Sequence, residues 1–95
     1  MPAYVIADMH VSDALGYEEY KRLAPPAIEK YGGRYVARGG ETIVLEGDWT
    51  PARLVILEFP SIEKAKVFYD SPEYRAAREA REGAGSFRMV LTQGL

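Results

Sequence analysis

The sequence predicts an α+β domain of element order β-α-β-β-α-β, and three observations carry that prediction. Residues 3–11, 53–59 and 86–92 alternate apolar and polar side chains with the period of a strand. Residues 13–31 and 61–82 instead repeat their apolar positions at the three-to-four spacing of a helix. Glycine or proline pairs punctuate the junctions between them.

Each element has its own signal. The first strand places Val5, Ala7, Met9 and Val11 on one side and Tyr4, Ile6, Asp8 and His10 on the other. Ser12 or Asp13 can cap a helix whose apolar stripe is Tyr17, Tyr20, Leu23, Ala24, Ala27, Ile28 and Tyr31. Pro25-Pro26 removes two amide donors and disfavours helical geometry before each ring. That predicts a kink, with a second helical piece starting near Pro25, and Gly32-Gly33 ends it. Residues 34–46 read as an extended segment bulged or bent at Gly39-Gly40, and residues 46–51 as a turn-rich connection. Residues 53–59 turn Val55, Leu57 and Phe59 one way and Leu54, Ile56 and Glu58 the other, until Pro60 stops the strand. Ser61 caps the next helix, with Ile62, Ala65, Phe68 and Tyr69 inward. Ser71-Pro72-Glu73 restarts it as a second piece, through a cap, a proline at the first position and an acid in the first turn. Gly83 and Gly85 end that piece. The last strand sets Phe87, Met89 and Leu91 opposite Arg88, Val90 and Thr92.

Right-handed crossovers arrange these elements as a ferredoxin-like βαββαβ antiparallel sheet with the helices on one face and the first strand between the third and fourth. Ninety-five residues, 47% hydrophobic and 27% charged, fit one soluble globular domain spanning residues 1–95. A chain of this length buries only about two-thirds of its unfolded surface, so support from a partner subunit is a natural expectation. A net charge of -2 lacks the positive field that nucleic-acid or anionic-membrane binding needs. The absence of cysteine removes disulfides, thiolate metal sites and thiol catalysis. The longest aliphatic run, Leu54-Val55-Ile56-Leu57, cannot span a membrane, and residues 1–4 lack the features of a leader, so a cytoplasmic location is expected.

The helix-facing side of the sheet collects a complete apolar set. The opposite side collects Tyr4, Ile6, Asp8, His10, Arg34, Val36, Arg38, Leu54, Ile56, Glu58, Arg88, Val90 and Thr92, half aliphatic and half ionisable. An exposed patch of Ile, Leu and Val is costly for a lone subunit, which predicts a homodimer that covers this face with a second copy.

Gly32-Gly33-Arg34-Tyr35, Ala37-Arg38-Gly39-Gly40, Leu45-Glu46-Gly47-Asp48-Trp49, the run from Arg53 to Ser61 and the run from Phe68 to Tyr74 resemble the bacterial family catalogued as domain of unknown function 1330. The resemblance covers nearly the whole chain. It implies a ferredoxin-like subunit that dimerises, sheet facing sheet, into an α+β barrel, with no established activity. The wider superfamily of such barrels includes cofactor-free monooxygenases, lactone isomerases, haem-degrading enzymes and plain binding proteins, so an enzyme and a non-catalytic module both fit it.

Asp8 and His10 are the candidate catalytic pair: two apart on a strand they share the open face, where a carboxylate beside an imidazole can poise a general base. Glu58 and Arg88 lie on the neighbouring strands, which makes either a four-residue site or an ion-pair network that fixes dimer register. A metal would require Asp8, His10 and Glu58 to converge, a poor ligand set, and no metal or cofactor is expected. Arg34 and Arg38, four apart on one strand face, could grip a carboxylate or phosphate, or pair across the dimer with Glu46 or Glu58. Trp49 is either a lid over a cavity or, the favoured reading, an anchor in the other subunit. The expected ligand is a small organic molecule in a cavity that also involves Tyr4, Ile6 and Ile56. Arg75, Arg78 and Arg81 form a basic stripe that Glu79 and Glu82 are placed to neutralise at i+4. The same element order occurs in RNA-recognition domains, but the open face of the third strand, Leu54, Ile56 and Glu58, offers no aromatic on which a base could stack.

Overall fold

A computed structural model describes residues Met1 to Leu95. Strand β1 (Ala3–Val11) leads to helix α1 (Ala14–Lys30), and β2 (Arg34–Arg38) and β3 (Leu54–Phe59) follow. Helices α2 (Ile62–Tyr69) and α3 (Pro72–Ala80) precede β4 (Gly85–Gln93). The four strands form one antiparallel sheet in the order β2-β3-β1-β4, which puts β1 and β3 in the centre and leaves β2 and β4 as edges.

The alternation in β1 and β3 does what it predicts. Val5, Ala7, Met9, Val55, Leu57 and Phe59 are buried, and they meet Tyr17, Tyr20, Ala24, Ala27 and Ile28 of α1, Ala65 and Phe68 of α2, and Tyr74 and Ala77 of α3 in one core. Phe68 sits at its centre, with its ring 4.9 Å from that of Phe59 and 4.3 Å from that of Tyr74. Asp13 is the cap of α1, accepting from the Gly16 amide. Ser61 and Ser71 cap α2 and α3 by accepting from the amides of Lys64 and Tyr74. The second helical segment is therefore two helices, divided where Ser71-Pro72 divides it. Gly33 packs so tightly under the Phe59 ring that a Cβ would lie 2.5 Å from it.

Three expectations are corrected. Pro25 and Pro26 do not split the first helix, which runs unbroken from Ala14 to Lys30. The carbonyls that lose their donors belong to Lys21 and Arg22, exposed residues whose backbone water can satisfy, while Ala24, Ala27 and Ile28 hold the buried face in place. The irregularity in β2 falls between Tyr35 and Ala37, not at Gly39-Gly40: Tyr35 pairs with Leu57 and Ala37 with Ile56, so Val36 is the extra residue. The strand ends at Arg38, where Gly39 takes a φ of +66° and turns the chain away. Residues 39–53 then form one long irregular loop that leaves Ile43, Val44 and Leu45 exposed. Finally, neither Arg75 with Glu79 nor Arg78 with Glu82 forms an ion pair. Arg78 bonds to the hydroxyl and carbonyl of Tyr69, and Arg81 is buried.

Candidate functional site

The open face of the sheet keeps the composition that the sequence gives it, except in β2 beyond the bulge, where Ala37, paired with Ile56, joins it and Arg38 leaves it. Downstream of Val36 every side chain of β2 changes sides, so Arg38 pairs with Val55, a helix-facing residue, and stacks on Tyr35 with its guanidinium 4.3 Å from the ring centre. Arg34, upstream of the bulge, stays on the open face and donates to Glu58 at 2.7 Å. The two arginines therefore do not form a clamp.

Register also separates the expected four-residue cluster. Glu58 lies opposite Tyr4 and Asp8 lies opposite Leu54 and Arg88, so Glu58 and Asp8 sit at opposite ends of the β1–β3 pair. Asp8, His10 and Glu58 consequently do not converge on one point, and the set that a metal would need is not assembled. Tyr4 marks the Glu58 end. Ile6, paired with Ile56 on one side and Val90 on the other, forms an aliphatic row between the two ends.

At the Asp8 end the chain builds a compact polar centre. Residues 48–52 run back toward the start of β3, directly beside the level of Asp8 in β1, and fold over the carboxylate. Trp49 Nε1 donates to Asp8 Oδ2 at 3.1 Å, the Ala52 amide donates to Oδ1 at 3.2 Å, and Arg88 Nη2 donates to Oδ2 at 3.0 Å. His10 Nε2 stands 3.2 Å from Oδ1. Asp8 is only 4% exposed although it belongs to the open face. The Trp49 indole N–H, the Arg88 guanidinium, the Ala52 amide and the nearby imidazole together hold its carboxyl below the ordinary carboxylate value, against the opposing effect of burial.

An ionised carboxylate with this many donors is a fixed anion and a poor proton shuttle. What it can do is orient. The His10 imidazole stands beside the carboxylate, and its side chain is still 45% exposed, so a bound molecule can reach the ring. Arg88 spends one nitrogen on Asp8 and leaves the rest of its guanidinium toward the cleft. The cleft has Ile6, Trp49 and Val90 as its apolar wall, with His10, Arg88 and the carboxylates of Asp8 and Asp48 among its polar groups. Trp49 reaches its own sheet, as the lid reading requires, and the residue stays 53% exposed. The Ala52 amide is the one functional group that the sequence could not reveal, because a backbone donor carries no side-chain signal; only the proximity of residues 48–52 to β3 hints at it.

A four-stranded antiparallel sheet, helices on one face and a buried carboxylate centre on the other, defines a ferredoxin-like α+β protein with an open-faced candidate site. The chain belongs to the family described as domain of unknown function (DUF1330), whose sequence model matches residues 2–95. No curated protein matches the sequence. Among solved structures, the fold is shared with a protein of unknown function from Rhodopseudomonas palustris, at 24% identity and a TM-score of 0.79 over 99% of this chain and 82% of that one. SnoaB, a cofactor-independent oxygenase from Streptomyces nogalater, is similar at 11% identity and a TM-score of 0.65, covering 99% of this chain and 93% of that one. A dimeric protein of unknown function with a ferredoxin-like fold from Bacteroides fragilis is similar at 14% identity and a TM-score of 0.59, covering 98% and 96%. Identities this low speak for the fold alone.

Proposed function

We propose that two copies of this single-domain chain pack open face to open face and that the enclosed chamber binds a small organic acid or enol, with His10, held by Asp8, as the base that takes a proton from it. The observation that carries this reading is the Asp8 centre. A carboxylate is buried on a face that is otherwise open and gathers an indole, an amide, a guanidinium and an imidazole around it. A merely solvated surface has no use for such convergence. The dimer supplies what the cleft lacks, a roof: Val36, Val90 and the loop residues Ile43 and Leu45 are exposed aliphatic groups, and a second copy is the simplest cover for them. No helix is long and apolar enough to cross a membrane, and a cytoplasmic, cofactor-independent protein is part of the same proposal.

A second reading has its own support. Both arginines left on the open face are paired within the chain, Arg34 with Glu58 and Arg88 with Asp8, as they would be in a non-catalytic module where charges set assembly. A thermal-shift screen of small carboxylic acids and enolisable carbonyl compounds separates the two, because a molecule that binds only the folded state raises the melting temperature. The proposal expects stabilising compounds whose effect is lost in His10→Ala while the dimer mass is kept. An unchanged ligand profile in that variant removes His10 from the chemistry, and a screen without any stabilising compound favours the assembly module.

A further inference from the structure

A second groove runs along the other side of β4, between that edge strand and the corner where α2 meets α3. It measures about 400 Å³, within the size range of small-molecule sites, and its lining is mostly apolar, Ala65, Met89 and Leu91 among it, with Lys66, Asp70 and Arg81 as its charged groups. Past Tyr69 and Phe87 it continues into a shallow basin carrying Arg75, Arg78 and Arg81. Most of its lining belongs to the helix-covered side of the sheet, and it meets the Asp8 cleft only at Met89 and Val90 of the edge strand, Val90 also bordering the proposed dimer face.

Arg81 is the unusual residue. It is 6% exposed, and its guanidinium lies 4.7 Å from the ring centre of Tyr20 and 4.3 Å from that of Phe87. Its one side-chain hydrogen bond is a long contact of 3.9 Å to the Met89 sulfur. Nη1 is buried without a partner, as is Nε of the neighbouring Arg78. No carboxylate lies within ion-pair distance of Arg75, Arg78 or Arg81. A guanidinium cannot shed its charge, and burying one without an anion is costly. Two aromatic faces offset only part of that cost. The cation is thus held in the wall of an apolar groove with its hydrogen-bonding capacity largely unspent.

We propose that this groove binds a small organic monoanion, its apolar body against Ala65, Met89 and Leu91 and its carboxylate paired with Arg81. The two rings hold the guanidinium by its faces and leave its in-plane N–H groups, Nη1 among them, free to donate once a small side-chain adjustment brings them to the ligand. Asp70, Glu79 and Glu82 stand on the rim of the basin as exposed anions, and they repel polyanions while leaving a singly charged, apolar-tailed acid acceptable.

Titration calorimetry of this 95-residue chain with 4-phenylbutyrate, its neutral amide 4-phenylbutanamide and inorganic phosphate tests this. The acid is expected to bind at least about tenfold more tightly than the amide, and phosphate to fail as a competitor. Arg81→Gln should erase the preference for the acid. Since that residue is buried, Leu91→Trp, a partly buried site on the edge strand, provides an independent block that should weaken acid and amide alike. His10→Ala should change neither, which keeps this site separate from the open-face cleft. Equal affinity for acid and amide in the unmodified chain, a preference that survives Arg81→Gln, or no binding of either compound overturns the assignment.

Discussion

Asp8 shows how one residue converts a strand into a site. On alternation alone it is an ordinary polar position facing away from the core. Its three donors and the nearby imidazole make it the fixed point from which His10, Arg88 and Trp49 take their places. An asparagine there keeps one acceptor but turns an amide toward a donor, so Asp8→Asn should lower the melting temperature at neutral pH and leave Trp49 more accessible to acrylamide quenching. The sign of the pH dependence follows from the lowered carboxyl. The stability it contributes is present above the ordinary value of 3.8 and is lost as pH falls through the lower folded-state value. The gap between the two proteins should therefore be full at neutral pH and narrow only in acid. A gap that is constant down to pH 2, or a Trp49 no easier to quench, would show that the carboxylate does not organise the loop.

At the scale of elements, the packing of α1 on α3 is tied at two points. Tyr20 and Tyr74 share a buried hydrogen bond of 2.7 Å between their hydroxyls, and burial raises the pKa of both phenols, so this tie does not titrate in any ordinary range. At the far end, Lys30 and Tyr31 both donate to Glu73, in the first turn of α3. These contacts, the Lys30 ammonium foremost, pull the Glu73 carboxyl from 4.5 down to about 2. A depressed acid stabilises the fold above its unfolded value and ceases to do so as pH drops through its folded value. Melting curves of the native chain and Glu73→Gln should accordingly differ at pH 6, approach each other between pH 4.5 and 2, and coincide below. Parallel curves over that window would dismiss the tie.

The element scale is also where the sequence and the fold part company. The strands β1, β3 and β4 and the serine caps of α2 and α3 were legible, because period-two burial and hydroxyl capping are local properties. The bulge at Val36 was not. Whether one extra residue loops out depends on the strand across from it, and no local feature of Arg34-Tyr35-Val36-Ala37-Arg38 says so. That single slip is enough to carry Arg38 to the other face. The run from Thr42 to Leu45 misleads for the converse reason: its residues favour a strand, but β2 is an edge and no partner is there to receive them.

At the scale of the molecule, the chain is a slab of 32 × 30 × 17 Å, one helical layer on one sheet. Such a slab has a core on one side only, so the aliphatic row of Ile6, Ile56 and Val90 awaits a cover. Light scattering should give twice the 10.6 kDa chain mass at micromolar concentration. Ile56→Glu, which would bury an unpaired charge at the centre of the proposed interface, should weaken dimerisation by at least about a hundredfold and leave the monomer folded. A monomeric native chain would overturn the dimer, and an undiminished dimer in the variant would place its interface elsewhere.

What the sequence determined by itself is whatever depends on near neighbours: strand and helix periods, caps, breaks, and hence the element order and the division of residues between a core face and an open one. What only the tertiary structure decided depends on register and on returning loops. It separated Arg34 from Arg38 and Glu58 from Asp8, brought Trp49 and Ala52 onto the carboxylate, and buried Arg81 between two rings. The reason is physical: periodicity fixes the direction in which a side chain points from its own backbone, whereas its companions are fixed by segments that meet only once the whole chain has packed.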